Sequence, residues 1–244
     1  MHFIKTRLKN VVRSSIRRMG YDIRKQDLIG QDAYLDIRRI VGSKSPVIFD
    51  VGANAGQTID DLRKVFPSPT IHAFEPGKVA FDSLLQTHSK LPHVRLNNLA
   101  LGAKPGRQIF FENYRTDMSS FLPLGPDGWG YISNQREIEV STVDRYCSQH
   151  EIPIIDLLKS DTQGFDLEVI KGAQGLLNAR KIHLMYLEFE FQKIYQGIPR
   201  LDEIYRFISD QGFELVSFYK FWYLNGRAAW TDALFIQPQF QIIR

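Results

Sequence analysis

From residue 46 onward, short apolar runs alternate with amphipathic stretches of helix length, and no other feature limits the fold as strongly. Val47 to Val51 reads as a strand, Thr58 to Phe66 as a helix closed by Pro67, and Thr70 to Phe74 as a second strand. Lys78 to Ser89 then reads as a helix and His93 to Asn97 as a third strand. After an interruption the rhythm resumes with a strand at Ile154 to Lys159, a helix at Phe165 to Leu177 and a strand at Lys181 to Phe189. A helix over Arg200 to Gln211 and late strands at Glu214 to Phe218 and Ala233 to Ile236 complete the series. Such units close through right-handed crossovers, so the expected fold is doubly wound α/β, with a mostly parallel sheet covered by helices on both faces. In the interruption, Gln108 to Phe111 and Glu137 to Ser141 suggest an inserted antiparallel hairpin. The loop between them, Glu112 to Gln135, is of a length that usually serves a function.

The chain of 244 residues is 43% hydrophobic, which suits one domain with a core of its own. Its single cysteine, Cys147, excludes an internal disulfide and any multi-cysteine metal site, and fits a reducing, cytoplasmic setting. The formal net charge of +4 is unevenly spread. Residues 1–30 hold eight Lys and Arg against Asp22 and Asp27, so the remainder is slightly negative. In the same segment Phe3, Ile4, Leu8, Val11, Val12, Ile16 and Met19 recur at helical spacing, with Gly20 as a stop. The division expected is a basic amphipathic helical segment over 1–45 and a catalytic-type domain over 46–244. The segment either packs its stripe on the domain, rests on an anionic membrane through residues 1–25, or serves as a presequence. Basic residues interrupt its apolar positions throughout, unlike a secretory signal.

Asp50-Val-Gly-Ala-Asn-Ala-Gly56 lies between a strand and a helix, where glycines let a ligand approach the backbone and a helix N-terminus offers amides. Glu75 ends the following strand, a position from which a carboxylate accepts both hydroxyls of a ribose. Turn and acid together indicate a nucleoside-containing cofactor. A dinucleotide fingerprint needs bare glycine where Asn54 and Gln57 stand, so NAD is poorly served. S-adenosylmethionine suits the turn better, its aminocarboxylate meeting the turn amides and Asp50 the ammonium side. No phosphate-binding loop, nucleophile elbow or zinc helix competes, and the six histidines are scattered.

These residues resemble the FkbM-type S-adenosylmethionine-dependent methyltransferases. The likeness rests on Phe49 to Gly56, Ala73 to Pro76, Asn98 to Gly102, Met118 to Phe121, Ser141 to Asp144, Asp156 to Lys159, Asp161 to Ala173 and Leu187-Glu188, in the family's order. It covers residues 46 to 237. It implies a seven-stranded class I methyltransferase sheet with an antiparallel last strand, and O-methyl transfer to a sugar or polyketide-type hydroxyl. It further implies that Gly52, Asn54 and Gly56 contact the cofactor, that Glu75 holds its ribose, and that Asn98 and Leu99 border the adenine. Many members carry Glu where this chain has Gln163, and Asp166 stands in place of a more usual Glu.

Transfer of an activated methyl to a hydroxyl needs orientation and a base. Asp161, just past a strand, is the first choice for the base, against a helix-capping role. Glu188, at the end of the next strand, faces the same cleft as a second base or an acceptor ligand. Asp144 reads as a helix cap and His183 as a packing residue. Ser119, Ser120 and Trp129 on the long loop, with Tyr195, are the expected acceptor contacts, and Tyr131, Trp222 and Tyr223 are further candidates. A divalent metal held by Asp161 and Glu188 is an alternative to a base. The expected partner is a small-molecule or glycan acceptor. An RNA methyltransferase is the second reading and conflicts with the slightly negative body. The third is a non-catalytic adaptor at a membrane.

Overall fold

The computed structural model describes residue 12, residues 14–21 and residues 28–240. Helix α1 (Ala33–Val41) is capped by Asp32, whose side chain accepts from the Leu35 amide, and ends at Gly42 in the left-handed region. It buries Ile37 and Ile40 on the sheet, so this part of the segment before residue 46 belongs to the domain core. Residues 14–18 are helical and stop at Gly20 as the sequence suggests. Val12, Met19 and Tyr21 are exposed there. Most of the basic stripe over residues 1–25 lies outside the described residues.

The expected alternation follows: β1 (Val47–Val51), α2 (Gln57–Val65), β2 (Thr70–Phe74), α3 (Lys78–His88) and β3 (Val94–Asn97). The short β4 (Ala100–Leu101) and the longer β5 (Gly106–Asn113) and β6 (Ile132–Ser141) form a separate three-stranded sheet. Then come α4 (Val143–Gln149), β7 (Ile155–Ser160), α5 (Asp166–Lys171), α6 (Gln174–Asn178) and β8 (Ile182–Glu190). The chain closes with α7 (Leu201–Asp210), β9 (Glu214–Leu224) and β10 (Arg227–Ile236).

The main sheet has the order β3-β2-β1-β7-β8-β10-β9. β1, β2, β3, β7 and β8 pair in parallel, and β10 alone runs against its neighbours β8 and β9. The sheet is therefore that of a class I methyltransferase, with the last strand antiparallel. The central strands β1, β2, β7 and β8 are mostly apolar on both sides, as a sheet covered twice requires. Ile48, Leu157 and Leu184 pack under α1, α2 and α3, while their neighbours Phe49, Leu158 and Met185 pack under α4, α5, α6 and α7.

Three departures from the sequence reading have local causes. The single helix over 165–177 is two, because close packing of Gly172 on the Gly102 carbonyl interrupts it. The late strands are longer than their apolar cores, joined by Asn225-Gly226 with φ of 51° and 73°. That pair suits a tight hairpin turn, whose backbone twist matches the strands. The inserted hairpin also extends further, leaving a loop over 114–131 that includes a 3₁₀ turn, Thr116–Met118.

Candidate active site

The carboxyl ends of β1, β2, β7 and β8 open into a cleft that encloses a cavity of about 220 Å³. It lies where open α/β sheets bind ligands. The loop over 114–131 forms its far wall through Thr116, Met118, Ser119 and Trp129. Thr116 donates to Asn54 Oδ1 (2.9 Å), which ties this wall to the glycine turn.

Glu75 lies on the cleft floor and is 7% exposed. Its Oε2 accepts from the Asn54 amide (2.8 Å) and its Oε1 from the Gly77 amide (2.7 Å). Burial pushes its carboxyl up to about 7, against the two amides and Lys159, which lower it. Each oxygen keeps a free lone pair, so two further donors fit. Gly52, at φ 77°, takes the chain so close to Asp161 that a Cβ would collide with the Asp161 carbonyl. Gly52, Asn54 and Leu99 line the cleft beside apolar Phe74, Leu101 and Phe110.

Asp161 and Glu188 come together through Gln163, a residue without a role in the sequence reading. Gln163 Nε2 donates to Asp161 Oδ1 (2.8 Å) and to Glu188 Oε2 (3.0 Å). The Gln163 amide is fixed in turn by the Tyr195 hydroxyl, which donates to its Oε1 (2.7 Å), and by Ser120 Oγ, which donates to its backbone carbonyl (2.7 Å). Asp161 is not a helix cap, since Asp166 accepts from the Thr162 amide at the entry to α5. Burial, with Asp161, Glu190 and Asp232 nearby, pushes the Glu188 carboxyl well above the usual carboxylate range.

Five expected contacts lie off the cleft lining. Asp50 is fully buried and stands opposite Lys159 in the β1–β7 register, with Nζ 2.9 Å from its Oδ1. Gly56 starts α2 in the left-handed region, its amide donating to the Ala53 carbonyl. Asn98 donates to the Glu75 carbonyl (2.8 Å) and so shapes the strand end. Ser120 and Tyr195, each 1% exposed, support Gln163 from behind. The amides of Gly52, Ala53 and Asn54 are also engaged within the protein, so the aminocarboxylate reading of the turn amides does not hold for them.

Asp144 does cap a helix, though a distant one, accepting from the Gly175 and Leu176 amides at the start of α6. His183 contacts Asp156 (3.0 Å) and the Phe240 ring, away from the cleft. No group of three His, Cys, Asp or Glu among the described residues has metal-holding geometry. Sequence reasoning missed Glu190, which lines the cleft two residues beyond Glu188 on the same face of β8. The Glu-Phe-Glu alternation at the strand end was the available signal.

Sheet order, glycine turn and terminal acid define a class I methyltransferase domain. The match to the methyltransferase FkbM domain runs over residues 50–215, and the chain belongs to that family. It is 26% identical over 163 residues to the 2-O-methyltransferase NoeI of Sinorhizobium fredii, covering 62% of this chain and 66% of that protein. It is 24% identical to the hexuronic acid methyltransferase AglP of Haloferax volcanii, over 73% of this chain and 68% of that one. It is 30% identical to the 31-O-demethyl-FK506 methyltransferase FkbM of Streptomyces tacrolimicus, over 52% of this chain and 59% of that one. The chain thus spans about two thirds of the length of these relatives or less.

Proposed function

We propose that the protein is an S-adenosylmethionine-dependent O-methyltransferase whose acceptor is a hydroxyl of a sugar, glycan or glycolipid, or of a natural product. The observation that carries this reading is Glu75, buried at the floor of the cleft with lone pairs to spare, beside the Gly52–Asn54 turn and across from two paired acids. The names of the three relatives support the acceptor class: one specifies 2-O-methyl transfer, one a hexuronic acid and one a demethylated natural product.

When bound, the cofactor supplies an activated methyl group. Glu75 accepts the ribose hydroxyls, and Leu99, Leu101 and Phe110 offer an apolar wall to the base. Asp161, on the open side of the acid pair, takes the acceptor hydroxyl's proton. The surroundings of Glu188 favour its neutral form, from which it hydrogen-bonds the acceptor. Gln163 holds both carboxyl groups in place, so orientation precedes chemistry. We infer a cytoplasmic location in which residues 1–25 touch anionic lipid, a contact that the exposure of Val12, Met19 and Tyr21 supports.

Calorimetric titration with S-adenosylmethionine, S-adenosylhomocysteine and NAD tests the reading. Both adenosyl ligands are expected to bind and NAD is not. Glu75→Ala removes the acceptor for two hydroxyls, and at about 1.5–3 kcal/mol per charged hydrogen bond it is expected to weaken binding 100-fold or more. Tight NAD binding, or adenosyl binding indifferent to Glu75, overturns the proposal.

The same group sets a pH dependence. Its ionised form receives the ribose, and burial pushes it up to about 7. Affinity for S-adenosylhomocysteine is therefore expected to rise between pH 6 and pH 8 and to flatten above. In Glu75→Gln the profile is expected to be flat; a flat profile in the wild type contradicts the assignment.

A further inference from the structure

Every carboxylate lining the cleft has a partner except one. Glu75 is held by two amides, Asp117 by Arg115 (3.0 Å), and Asp161 and Glu188 by Gln163. Glu190 lines the same cleft, is 9% exposed, and neither of its oxygens has a hydrogen-bond partner. A buried carboxylate without donors is costly, so a ligand that brings donors completes this position. Among the described residues no lysine, arginine or histidine lines the cleft.

The neighbours of Glu190 narrow the ligand further. It stands opposite Trp230 in the β8–β10 ladder, so carboxylate and indole share one face of the sheet. Trp230 lies against Trp129 on the loop wall (ring centroids 5.7 Å, 36°) and against Trp222 on β9 (5.7 Å, 16°). All three tryptophans of the chain thus form one row, from the cleft to Trp222, which is 43% exposed. An aromatic surface beside a hydrogen-bond acceptor suits a sugar ring, whose apolar face meets the indole while its edge offers donors.

We propose that Glu190 is a specificity-determining acceptor ligand, which takes the hydroxyl or ammonium donors of a sugar ring laid against Trp230 and excludes acceptors that carry a carboxylate or phosphate there. This rests on the methyltransferase reading and goes beyond it. The consequence separates this chain from a relative such as the hexuronic acid methyltransferase: a uronate against Trp230 would bring a negative charge to a cleft lining that holds no cation among the described residues, Lys220 standing outside it over the exposed Trp222 ring (3.4 Å). Burial, with Asp166 and Asp161 nearby, already raises the Glu190 carboxyl, and an anion would add to that repulsion.

The test uses the full chain saturated with S-adenosylhomocysteine on a glycan array holding neutral, amine-bearing, uronate-bearing, sialylated and phosphorylated sugars. Retention of neutral or amine-bearing glycans alone is expected, and the two classes separate hydroxyl from ammonium recognition. Glu190→Gln is expected to reduce retention about tenfold or more, the loss of one charged hydrogen bond, while S-adenosylhomocysteine affinity stays unchanged. Thermal unfolding of the unliganded variant is the control for a structural role. The melting midpoint is expected not to fall, because the side chain it replaces has no partner. Retention of acidic glycans by the wild type, unchanged retention by Glu190→Gln, or a lowered midpoint each overturns the proposal. Absence of glycan binding in protein that still binds S-adenosylhomocysteine overturns it too, and leaves the methyltransferase reading standing.

Discussion

Lys159→Met is expected to lower the melting midpoint by roughly 10 °C, from a loss of about 3–5 kcal/mol at about 2–4 °C per kcal/mol. Asp50 and Lys159 are cross-strand neighbours at the centre of the sheet, 0% and 5% exposed. Burial opposes the ammonium, yet Asp50 at 2.9 Å and Asp161 at 3.9 Å hold its pKa above the usual lysine value. Removing the cation leaves Asp50 buried beside no counterion, and this accounts for the size of the loss. Lys159 also donates to the Gly52 carbonyl (3.2 Å), so the variant should loosen the turn that lines the cleft. A buried pair contributes little net stability, because desolvation offsets its attraction. The double variant Asp50→Asn/Lys159→Met is therefore expected to recover more than half of the single variant's loss. Thermal unfolding of the wild type, Lys159→Met, Asp50→Asn and the double variant checks this, and a double variant as unstable as the sum of both singles would falsify it.

The second large effect is on turnover. Asp161→Asn is expected to reduce kcat about 10²–10⁴-fold, the usual contribution of a positioned base. Affinity for S-adenosylhomocysteine should change little, since the carboxylate meets Gln163 and Lys159 and not the Glu75 side of the cleft. Glu188→Gln is expected to act mainly on the acceptor's KM. The measurement is methyl transfer to a glycan retained in the array experiment, with calorimetry alongside. Turnover that survives Asp161→Asn within tenfold would move the base to Glu188. Loss of cofactor affinity would instead make Asp161 part of the binding site.

Much of the architecture was legible beforehand because its signals are short in range. β1 and β2 have the bounds their apolar runs suggest, and α2, α3 and β7 shift by a residue at their ends. Burial on two faces makes these strands continuous apolar runs that amphipathic helices separate. The two-helix break at Gly172 was not visible, because the carbonyl it packs on belongs to Gly102, far away in sequence. The long β9–β10 hairpin was underestimated because its outer half is exposed and carries Lys220, Trp222 and Tyr223 where an apolar pattern would have marked a strand. Asn225-Gly226 was the signal that could have extended it.

The site divides in the same way. Its turn and Glu75 are legible because a strand end, a glycine and an acid at that place can do few other things. Gln163 and Glu190 were not, because a polar residue takes its role from what surrounds it. Gln163 became a clamp only when β7 and β8 brought Asp161 and Glu188 to one amide nitrogen. Asp50 looked like a cofactor ligand until the β1–β7 register put Lys159 opposite it.

The sequence by itself determined the strand–helix alternation, the glycine turn after β1 and the acid that ends β2, because periodicity and turn chemistry act within a few residues, and its ordered motif blocks carried the resemblance to the family. The tertiary structure alone decided which carboxylates are paired, which one is left without donors, and that three tryptophans scattered along the chain form one row. Charge pairing and desolvation depend on distances across the sheet, and only the strand register fixes those.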